Sequence, residues 1–199
     1  MKPKVIGLSG MIASGKSTVR LMFQEFGVHC LDLDHVARMI QSDPTHPAMV
    51  KLRGYYPEVF PNGVFQRDKM RSLIVEQPSV DTALKLLMAT PVLATAQEWT
   101  ASIVGAPFVI WESALLGGVP DIDRFLRVEC STEVQLARLR QRNPDWTAEQ
   151  QDGMLRMGAK LLMPADDVIV NNGTAQELAA KVEMLYHQYC TGWGNDESK

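Results

Sequence analysis

The fold is decided by the stretch Gly10-Met11-Ile12-Ala13-Ser14-Gly15-Lys16-Ser17. Its spacing is G-x-x-x-x-G-K-[ST], which is typical of a phosphate-binding P-loop. An apolar strand is predicted before it, over residues 4–8, and an amphipathic helix after it, from near Lys16 to near Gly27. Because the motif requires a strand on one side and a helix on the other, these flanks favour a true P-loop over a chance turn.

The residue types of this loop suit the binding of phosphate. Glycines let successive backbone N–H groups turn inward, and the start of the helix adds partial positive charge at the same point. The ammonium of Lys16 would reach the outer phosphates, and the hydroxyl of Ser17 would reach Mg²⁺. We therefore predict a nucleoside triphosphate site with Mg²⁺. Its residues are Gly10, Met11, Ile12, Ala13, Ser14, Gly15, Lys16, Ser17 and Thr18.

The composition is that of an ordinary globular chain. It has 199 residues, of which 46% are hydrophobic and 22% charged, with a formal net charge of −3. There is no domain-wide basic excess that would indicate a nucleic acid partner, and no apolar run is long enough to span a membrane. The three cysteines are scattered and match neither a disulfide framework nor a zinc spacing. We expect a cytoplasmic protein with small-molecule ligands, a monomer or weak homo-oligomer.

Short apolar segments alternate with helical patterns along the chain. This alternation predicts a parallel, doubly wound sheet, and with the P-loop it indicates the three-layer α/β fold of P-loop NTPases. About five strands are expected. The predicted strands cover residues 4–8, 28–31, 108–111, 125–129 and 168–170.

Two helical stretches interrupt the alternation. The first, about 44–105, is predicted to be an insertion that binds the acceptor, and the second, about 143–164, a helical lid. The remaining segments, about 1–43, 106–142 and 165–190, form the predicted core of a single P-loop domain.

Three acids follow predicted strands, where a parallel sheet binds its ligands. Asp32 and Asp34 could orient or deprotonate an acceptor hydroxyl, or could only cap the helix that follows. Glu112 ends an apolar strand, as does the acid that reaches Mg²⁺ beside a P-loop, although a surface glutamate at a strand end is the alternative.

Several polar residues have two open interpretations. Arg138 and Arg142, four residues apart on one helix face, could hold the phosphates or could be solvated at a helix end. Arg67 and Arg71 could bind a phosphate of the acceptor or could belong to a capped surface helix. The run Asn171-Asn172-Gly173 could be a plain turn or a loop that cradles adenine.

Two longer runs are more specific than the P-loop. The first is Asp32-Leu33-Asp34-His35-Val36-Ala37-Arg38 and the second is Ala165-Asp166-Asp167-Val168-Ile169-Val170-Asn171-Asn172-Gly173. Through these runs, the P-loop, the segment Asn62 to Arg71 and the segment Glu112 to Leu116, the chain resembles bacterial dephospho-CoA kinases over nearly its whole length.

The resemblance implies transfer of the γ-phosphate of ATP to the ribose 3′-hydroxyl of dephospho-CoA, with Mg²⁺. It implies Asp34 as the catalytic base, supported by Asp32, with Lys16 and Arg138 also acting in catalysis. The implied partners are ATP and dephospho-CoA. The implied acceptor residues are Asp32, Asp34, Arg38, Arg67, Arg71 and Leu115, the implied metal residues are Ser17 and Glu112, and Arg142, Asn171 and Gly173 are implied beside the nucleotide.

The chain departs from the family pattern at several positions. Met11 and Ala13 stand where the family has glycine, and Thr90-Pro91 stands where it has His-Pro. The segment from Ala114 to Gly118 lacks the family's proline and glutamate. Two alternatives therefore stay open: a kinase of the same build for another acceptor, such as a nucleoside monophosphate, or a regulatory nucleotide-binding protein with little transfer.

Overall fold

A five-stranded parallel sheet forms the centre of the structure, a computed structural model that describes residues 2–113, 116, 119–159 and 164–191. Its strand order is β2-β3-β1-β4-β5, and every neighbouring pair is parallel. This confirms the predicted α/β sheet. The strands are β1 (Lys4–Gly10), β2 (Cys30–Asp32), β3 (Phe108–Glu112), β4 (Arg124–Glu129) and β5 (Asp167–Val170).

In its described residues, the unit that contains the sheet has four helices. They are α1 (Lys16–Glu25), α6 (Thr132–Arg142), α7 (Ala148–Ala159) and α8 (Ala175–Thr191). The strand predicted over 28–31 begins at Cys30 instead, because the N–H of Val28 donates to the carbonyl of Phe23 and closes the end of α1.

The central strands are apolar because their side chains are buried on both faces of the sheet, as is usual for parallel strands. All five residues of β3 are buried. Against one face, α1 and α8 pack around Phe23, whose ring stacks on that of Tyr189 with centroids 6.3 Å apart. Burial of these apolar side chains is the main driving force that holds the layers together.

Helix starts follow their local sequence. The hydroxyl of Ser131 accepts a hydrogen bond from the N–H of Val134 at 3.4 Å and so caps α6. Thr174 and Glu177 form a capping box before α8. The hydroxyl of Thr174 accepts from the N–H of Glu177 at 3.2 Å, and the carboxylate of Glu177 accepts from the N–H of Thr174 at 2.7 Å.

Residues Leu33–Ser102 form a second compact unit, which is entirely helical. Its helices are α2 (Leu33–Ser42), α3 (Pro47–Tyr55), α4 (Arg67–Glu76) and α5 (Ser79–Ser102), with two short 3-10 turns between α3 and α4. It has its own apolar core, which includes Met49, Leu52, Met70 and Val92. In the described parts of both units, no helix is long and apolar enough to cross a membrane.

Carboxylates stabilise the end of the sheet at which its strands begin, which we call the N-terminal edge. Asp167 accepts hydrogen bonds from Arg124 Nε at 2.6 Å and from the hydroxyl of Tyr189 at 2.7 Å. Burial raises the pKa of Asp167, but the hydrogen bonds from Arg124 and Tyr189 outweigh it and leave this pKa below its ordinary value. The acid pair Asp166-Asp167 of the second motif run therefore stabilises the fold, since Asp166 also accepts from the N–H of Phe125.

We expect Asp167→Asn to lower the free energy of unfolding by about 2 kcal/mol near neutral pH, because hydrogen bonds to a charged group are lost. The pKa of Asp167 is lower in the folded state than in the unfolded chain, so its stabilisation is present above the unfolded pKa. It is lost as the pH falls through the folded pKa. Urea unfolding should therefore show a difference between the variant and the wild type that shrinks below about pH 4.

The matched control is Lys4→Met, which removes the exposed ion pair between Lys4 and Asp123 at the same edge of the sheet. Exposed pairs contribute at most about 1 kcal/mol. A loss in Asp167→Asn no larger than in this control, or one independent of pH, would contradict the assignment.

Candidate active site

The P-loop connects the C-terminal end of β1 to the start of α1. Gly15 has a φ of +103°, and a Cβ atom there would collide with the side-chain amide of Asn171. Gly10 has a φ of +152°, and a Cβ atom there would collide with the backbone oxygen of Val128. Both positions therefore require glycine, for conformation and for space.

Side chains of helix α6 donate hydrogen bonds to the backbone carbonyl groups of the P-loop. The amide Nε2 of Gln135 donates to the carbonyl of Ile12 at 2.6 Å. One turn along, Arg138 Nη1 donates to the carbonyl of Ser14 at 3.2 Å and to that of Ala13 at 3.4 Å. Arg138 thus reaches the P-loop, and its guanidinium contacts the backbone of the loop.

Asn171, just after β5, completes the hold on the loop. Its Nδ2 donates to the carbonyl of Ser14 at 2.8 Å, and its own carbonyl accepts from Arg138 Nη2 at 3.1 Å. We call Gln135, Arg138 and Asn171 the carbonyl clamp. In a trans peptide the C=O and the following N–H point in opposite directions. The clamp therefore turns the N–H groups of Ala13 and Gly15 away from α6.

The inner side of the loop is suited to an anion. Lys16 Nζ donates to the carbonyl of Gly10 at 3.0 Å, which keeps the ammonium over the loop. The hydroxyl of Ser14 is buried, and among the described residues it is the buried side-chain polar atom without a hydrogen-bond partner. Helix α1 begins Lys-Ser-Thr, so no acidic side chain in its first turn competes with a phosphate for the N–H groups there. These features fit a bound triphosphate.

Ser17 and Glu112 meet beside the loop, where the metal is predicted. The hydroxyl of Ser17 donates to Glu112 Oε1 at 3.0 Å, and Arg20 Nε donates to Glu112 Oε2 at 2.5 Å. Glu112 is only 6% exposed. Asp32 is its register partner on the neighbouring strand, so two acids end adjacent strands. An oxygen set of this kind fits Mg²⁺, which takes a few protein oxygens and completes its shell with phosphates and water.

The helical unit contains a pocket of about 520 Å³. Two of the predicted acceptor residues, Arg38 and Arg67, line it. The pocket thus combines two guanidinium groups with apolar and aromatic side chains. The other lining residues are Gln41, Ser42, Pro44, Phe60, Gly63, Val64 and Phe65.

The remaining acceptor candidates occupy different surroundings. Asp34 is exposed in the first turn of α2. Arg71 forms an exposed ion pair with Asp68 at 3.0 Å on α4 and is not among the lining residues of the pocket. Leu115 lies outside the described residues.

The other nucleotide candidates lie at element ends. Arg142 is exposed in the last turn of α6, and Thr18 is exposed in the first turn of α1. Gly173 leaves room for the capping carboxylate of Glu177, with which a Cβ atom would collide. Asn172 accepts from the N–H of Ser131 at 2.7 Å. The turn after β5 therefore has a clear structural role.

Sequence reasoning missed two residues of the site, Gln135 and Arg20. Gln135 precedes Arg138 by three residues, and Arg20 follows Ser17 by three. Residues at this spacing share a helix face. A search for polar side chains one turn away from each predicted site residue would have found both.

The thiols near the site are not poised for reaction. Burial raises the pKa of Cys30 to about 12, although Arg20 acts in the opposite direction. Burial also raises the pKa of Cys130, again against the effect of Arg138. Because the thiolate is the reactive form, these side chains act as small packing groups.

Comparisons with known proteins show the family to which the chain belongs. A family model described as dephospho-CoA kinase matches residues 4–177. The chain belongs to the dephospho-CoA kinase family. It is 35% identical to a dephospho-CoA kinase from Burkholderia lata, over 92% of this chain and 95% of the relative. It is 32% identical to one from Shigella flexneri, over 93% of this chain and 92% of the relative.

Solved structures show the same fold. A crystal structure from Thermus thermophilus superposes with a TM-score of 0.80 at 24% identity, covering 94% of this chain and 98% of that one. A dephospho-CoA kinase from Campylobacter jejuni superposes with a TM-score of 0.61 at 14% identity, covering 95% and 98%. Membership of the family confirms the predicted resemblance and the predicted class of enzyme, a phosphotransferase.

Ala13 carries the strain of the loop. Its φ of +58° is one of two positive values found at non-glycine residues in the described chain, while the φ of Met11 is not positive. An L-residue in this region costs about 1–2 kcal/mol. Of the two substitutions for the family's glycines, only the one at Ala13 therefore has a conformational cost.

We expect Ala13→Gly to leave stability unchanged or raise it by up to about 1 kcal/mol, since relief of strain outweighs the added freedom of the unfolded chain. Met11→Gly is the matched control and should lower stability by about 0.5–1 kcal/mol, because no strain is relieved there. Thermal unfolding of both variants measures the contrast. Equal effects at the two positions would show that the backbone at Ala13 is not strained.

Proposed function

We propose that this chain transfers the γ-phosphate of ATP to the ribose 3′-hydroxyl of dephospho-CoA. The observation that carries the proposal is the anion cradle of the P-loop, in which the carbonyl clamp directs backbone N–H groups to one side and the buried Ser14 hydroxyl has no hydrogen-bond partner. Membership of the family supports dephospho-CoA as the acceptor.

Phosphoryl transfer needs positioning and charge stabilisation more than covalent help from the protein. In the proposed site the residues from Gly10 to Thr18 bind the phosphates of ATP through backbone N–H groups, and Lys16 supplies a mobile positive charge. Ser17 and Glu112 would hold Mg²⁺, which when bound neutralises developing charge on the phosphate oxygens. Asn171 and Gly173 are proposed to border the adenine.

The acceptor hydroxyl needs a base. In our proposal the 3′-oxygen bonds to the γ-phosphorus, the bond from that phosphorus to the β–γ bridging oxygen breaks, and ADP leaves. The hydroxyl proton passes to the carboxylate of Asp34, while Asp32 helps to orient the hydroxyl. Arg138 and Arg142 are proposed to add positive charge on the nucleotide side, and 143–164 to act as a lid.

The pocket of the helical unit is proposed to hold part of dephospho-CoA. This acceptor carries a diphosphate and an adenine ring, so it needs both cations and apolar surface. Arg38 and Arg67 offer guanidinium groups for phosphate oxygens, and Phe60 and Phe65 offer aromatic surface. We propose that the enzyme is cytoplasmic and acts on small molecules as a monomer or weak homo-oligomer.

The direct test is ADP formation from ATP and Mg²⁺ with a panel of acceptors: dephospho-CoA, nucleoside monophosphates and no acceptor. We expect rapid turnover with dephospho-CoA alone, and none in Lys16→Ala, which should also bind ATP weakly. Turnover with a nucleoside monophosphate but not with dephospho-CoA would show that the acceptor is a nucleoside monophosphate. ATP binding without turnover on any acceptor would indicate a regulatory nucleotide-binding protein.

Asp34→Asn should lower kcat by about 10²–10⁴-fold, because general base catalysis contributes this much. Affinity for a non-hydrolysable ATP analogue, measured by calorimetry, should change by less than about twofold, since the base acts on the acceptor alone. Asp81→Asn, which removes an exposed acid that pairs with Lys85, is the control and should keep wild-type kcat. A parallel loss of ATP binding in Asp34→Asn would place Asp34 with the metal instead.

Substitutions of Arg67 and Arg71 should differ in their effect on the KM for dephospho-CoA. Arg67→Met should raise this KM by about 10–100-fold, because that factor corresponds to the free energy of one charge-assisted hydrogen bond. The change in kcat should be smaller. Arg71→Met should raise it by no more than about threefold, because its guanidinium already pairs with Asp68 outside the pocket. Steady-state kinetics measures both. The reverse order would exclude the pocket as the acceptor site.

A further inference from the structure

Arg20 belongs to a row of polar side chains on one face of α1. Ser17, Arg20 and Gln24 lie three and four residues apart, so they follow one another along the helix. Arg20 Nη1 donates to Gln24 Oε1 at 3.0 Å, and Arg20 Nε donates to Glu112 Oε2 at 2.5 Å. Ser17 donates to the other oxygen of Glu112 at 3.0 Å. Gln24 therefore orients the guanidinium that holds Glu112.

The pair of Arg20 and Glu112 is largely withdrawn from water. The side chain of Glu112 is 8% exposed and that of Arg20 21%. A carboxylate at this depth is costly without a compensating cation. Arg20 is that cation, and the pair has no net charge. Both oxygens of Glu112 accept a hydrogen bond, so the carboxylate is held in one orientation.

This pairing bears on when a divalent cation can bind. A free cation is drawn to a site by its net negative charge, and Arg20 cancels the charge of Glu112. Among the described residues, no group of three or more His, Cys, Asp or Glu side chains could hold a metal by itself. Mg²⁺ commonly binds through one or two carboxylates together with substrate phosphates.

We propose that Arg20 is a positioning residue that serves as the internal counter-cation of Glu112 and keeps a free divalent cation from binding before the nucleotide. The proposal rests on the proposed function, because it takes Ser17 and Glu112 as the metal side of the site. The proposal implies ordered binding, in which the metal binds together with ATP. The phosphates of ATP supply negative charge to the site, where Arg20 cancels the charge of Glu112.

The test is binding of Mn²⁺ alone to the nucleotide-free protein at about pH 8, where carboxylates are ionised, with free Mn²⁺ measured by electron paramagnetic resonance. Arg20→Met should bind Mn²⁺ at least about tenfold more tightly than the wild type, because Glu112 loses its counter-charge. Arg20→Gln, which keeps a hydrogen-bond donor, should show the same gain. It gives a second neutral variant if the methionine variant does not fold, and circular dichroism checks both.

Three controls isolate the charge. Arg20→Lys keeps the positive charge and should stay within about threefold of the wild type. The double variant Arg20→Met with Glu112→Gln should lose the gain, since the carboxylate that Arg20 neutralises is then absent. Lys4→Met removes a positive charge at the opposite end of β1 and should leave Mn²⁺ binding unchanged. Folded neutral variants that bind Mn²⁺ within about twofold of the wild type would overturn the proposal, and so would an equal gain in Arg20→Lys.

A second measurement uses a non-hydrolysable ATP analogue. In the wild type, saturating analogue should raise the affinity for Mn²⁺ strongly. In Arg20→Met the analogue should raise the affinity for Mn²⁺ by a factor at least about tenfold smaller than in the wild type, because the nucleotide-free variant already attracts the cation. An equal factor in both proteins would contradict the role of Arg20. Neither measurement needs turnover, so absence of turnover with dephospho-CoA would overturn the proposed function and leave the result for Arg20 standing.

Discussion

The site depends on one constraint, which is the fixed direction of the carbonyl groups of the P-loop. A loop of this kind binds an anion only if its N–H groups converge, and nothing in the loop sequence alone enforces that. Gln135 and Arg138 supply donors from α6, and Asn171 supplies one from the end of β5. Since these donors take the carbonyls, the N–H groups face the other way before any ligand arrives. Organisation in advance spares the binding energy that ordering would otherwise consume.

The same constraint explains how the loop tolerates alanine where the family has glycine. A positive φ at Ala13 is unfavourable by itself. Its carbonyl, however, accepts hydrogen bonds from Arg138 and, at 3.9 Å, from the thiol of Cys130. Strained conformations persist where the surroundings over-determine them, and they gather at functional sites. The strain at Ala13 thus follows from the clamp and requires no special property of the alanine.

The parts that the sequence predicts well are those set by local pattern. The strands are predictable because their segments are short apolar runs bounded by helical patterns. The contacts that complete the site join residues far apart in the chain. Arg20 and Glu112 are 92 positions apart, and Arg138 meets Ser14 across 124. No periodicity encodes such a pairing. The hydrogen bonds from the Arg138 guanidinium to backbone carbonyls, and the Arg20–Glu112 pair, therefore become visible only in the folded structure.

The two ends of the sheet use carboxylates for different purposes. At the N-terminal edge, Asp123 and Asp166 accept from backbone N–H groups and Asp167 pairs with Arg124, so their charges are satisfied permanently. At the C-terminal edge, Glu112 has one oxygen on a hydroxyl and one on Arg20. A hydroxyl that donates its proton to a carboxylate keeps lone pairs that a metal ion can accept. The acids of the N-terminal edge therefore stabilise the fold. At the C-terminal edge, the contact of Ser17 with Glu112 leaves the hydroxyl oxygen of Ser17 available to a metal ion.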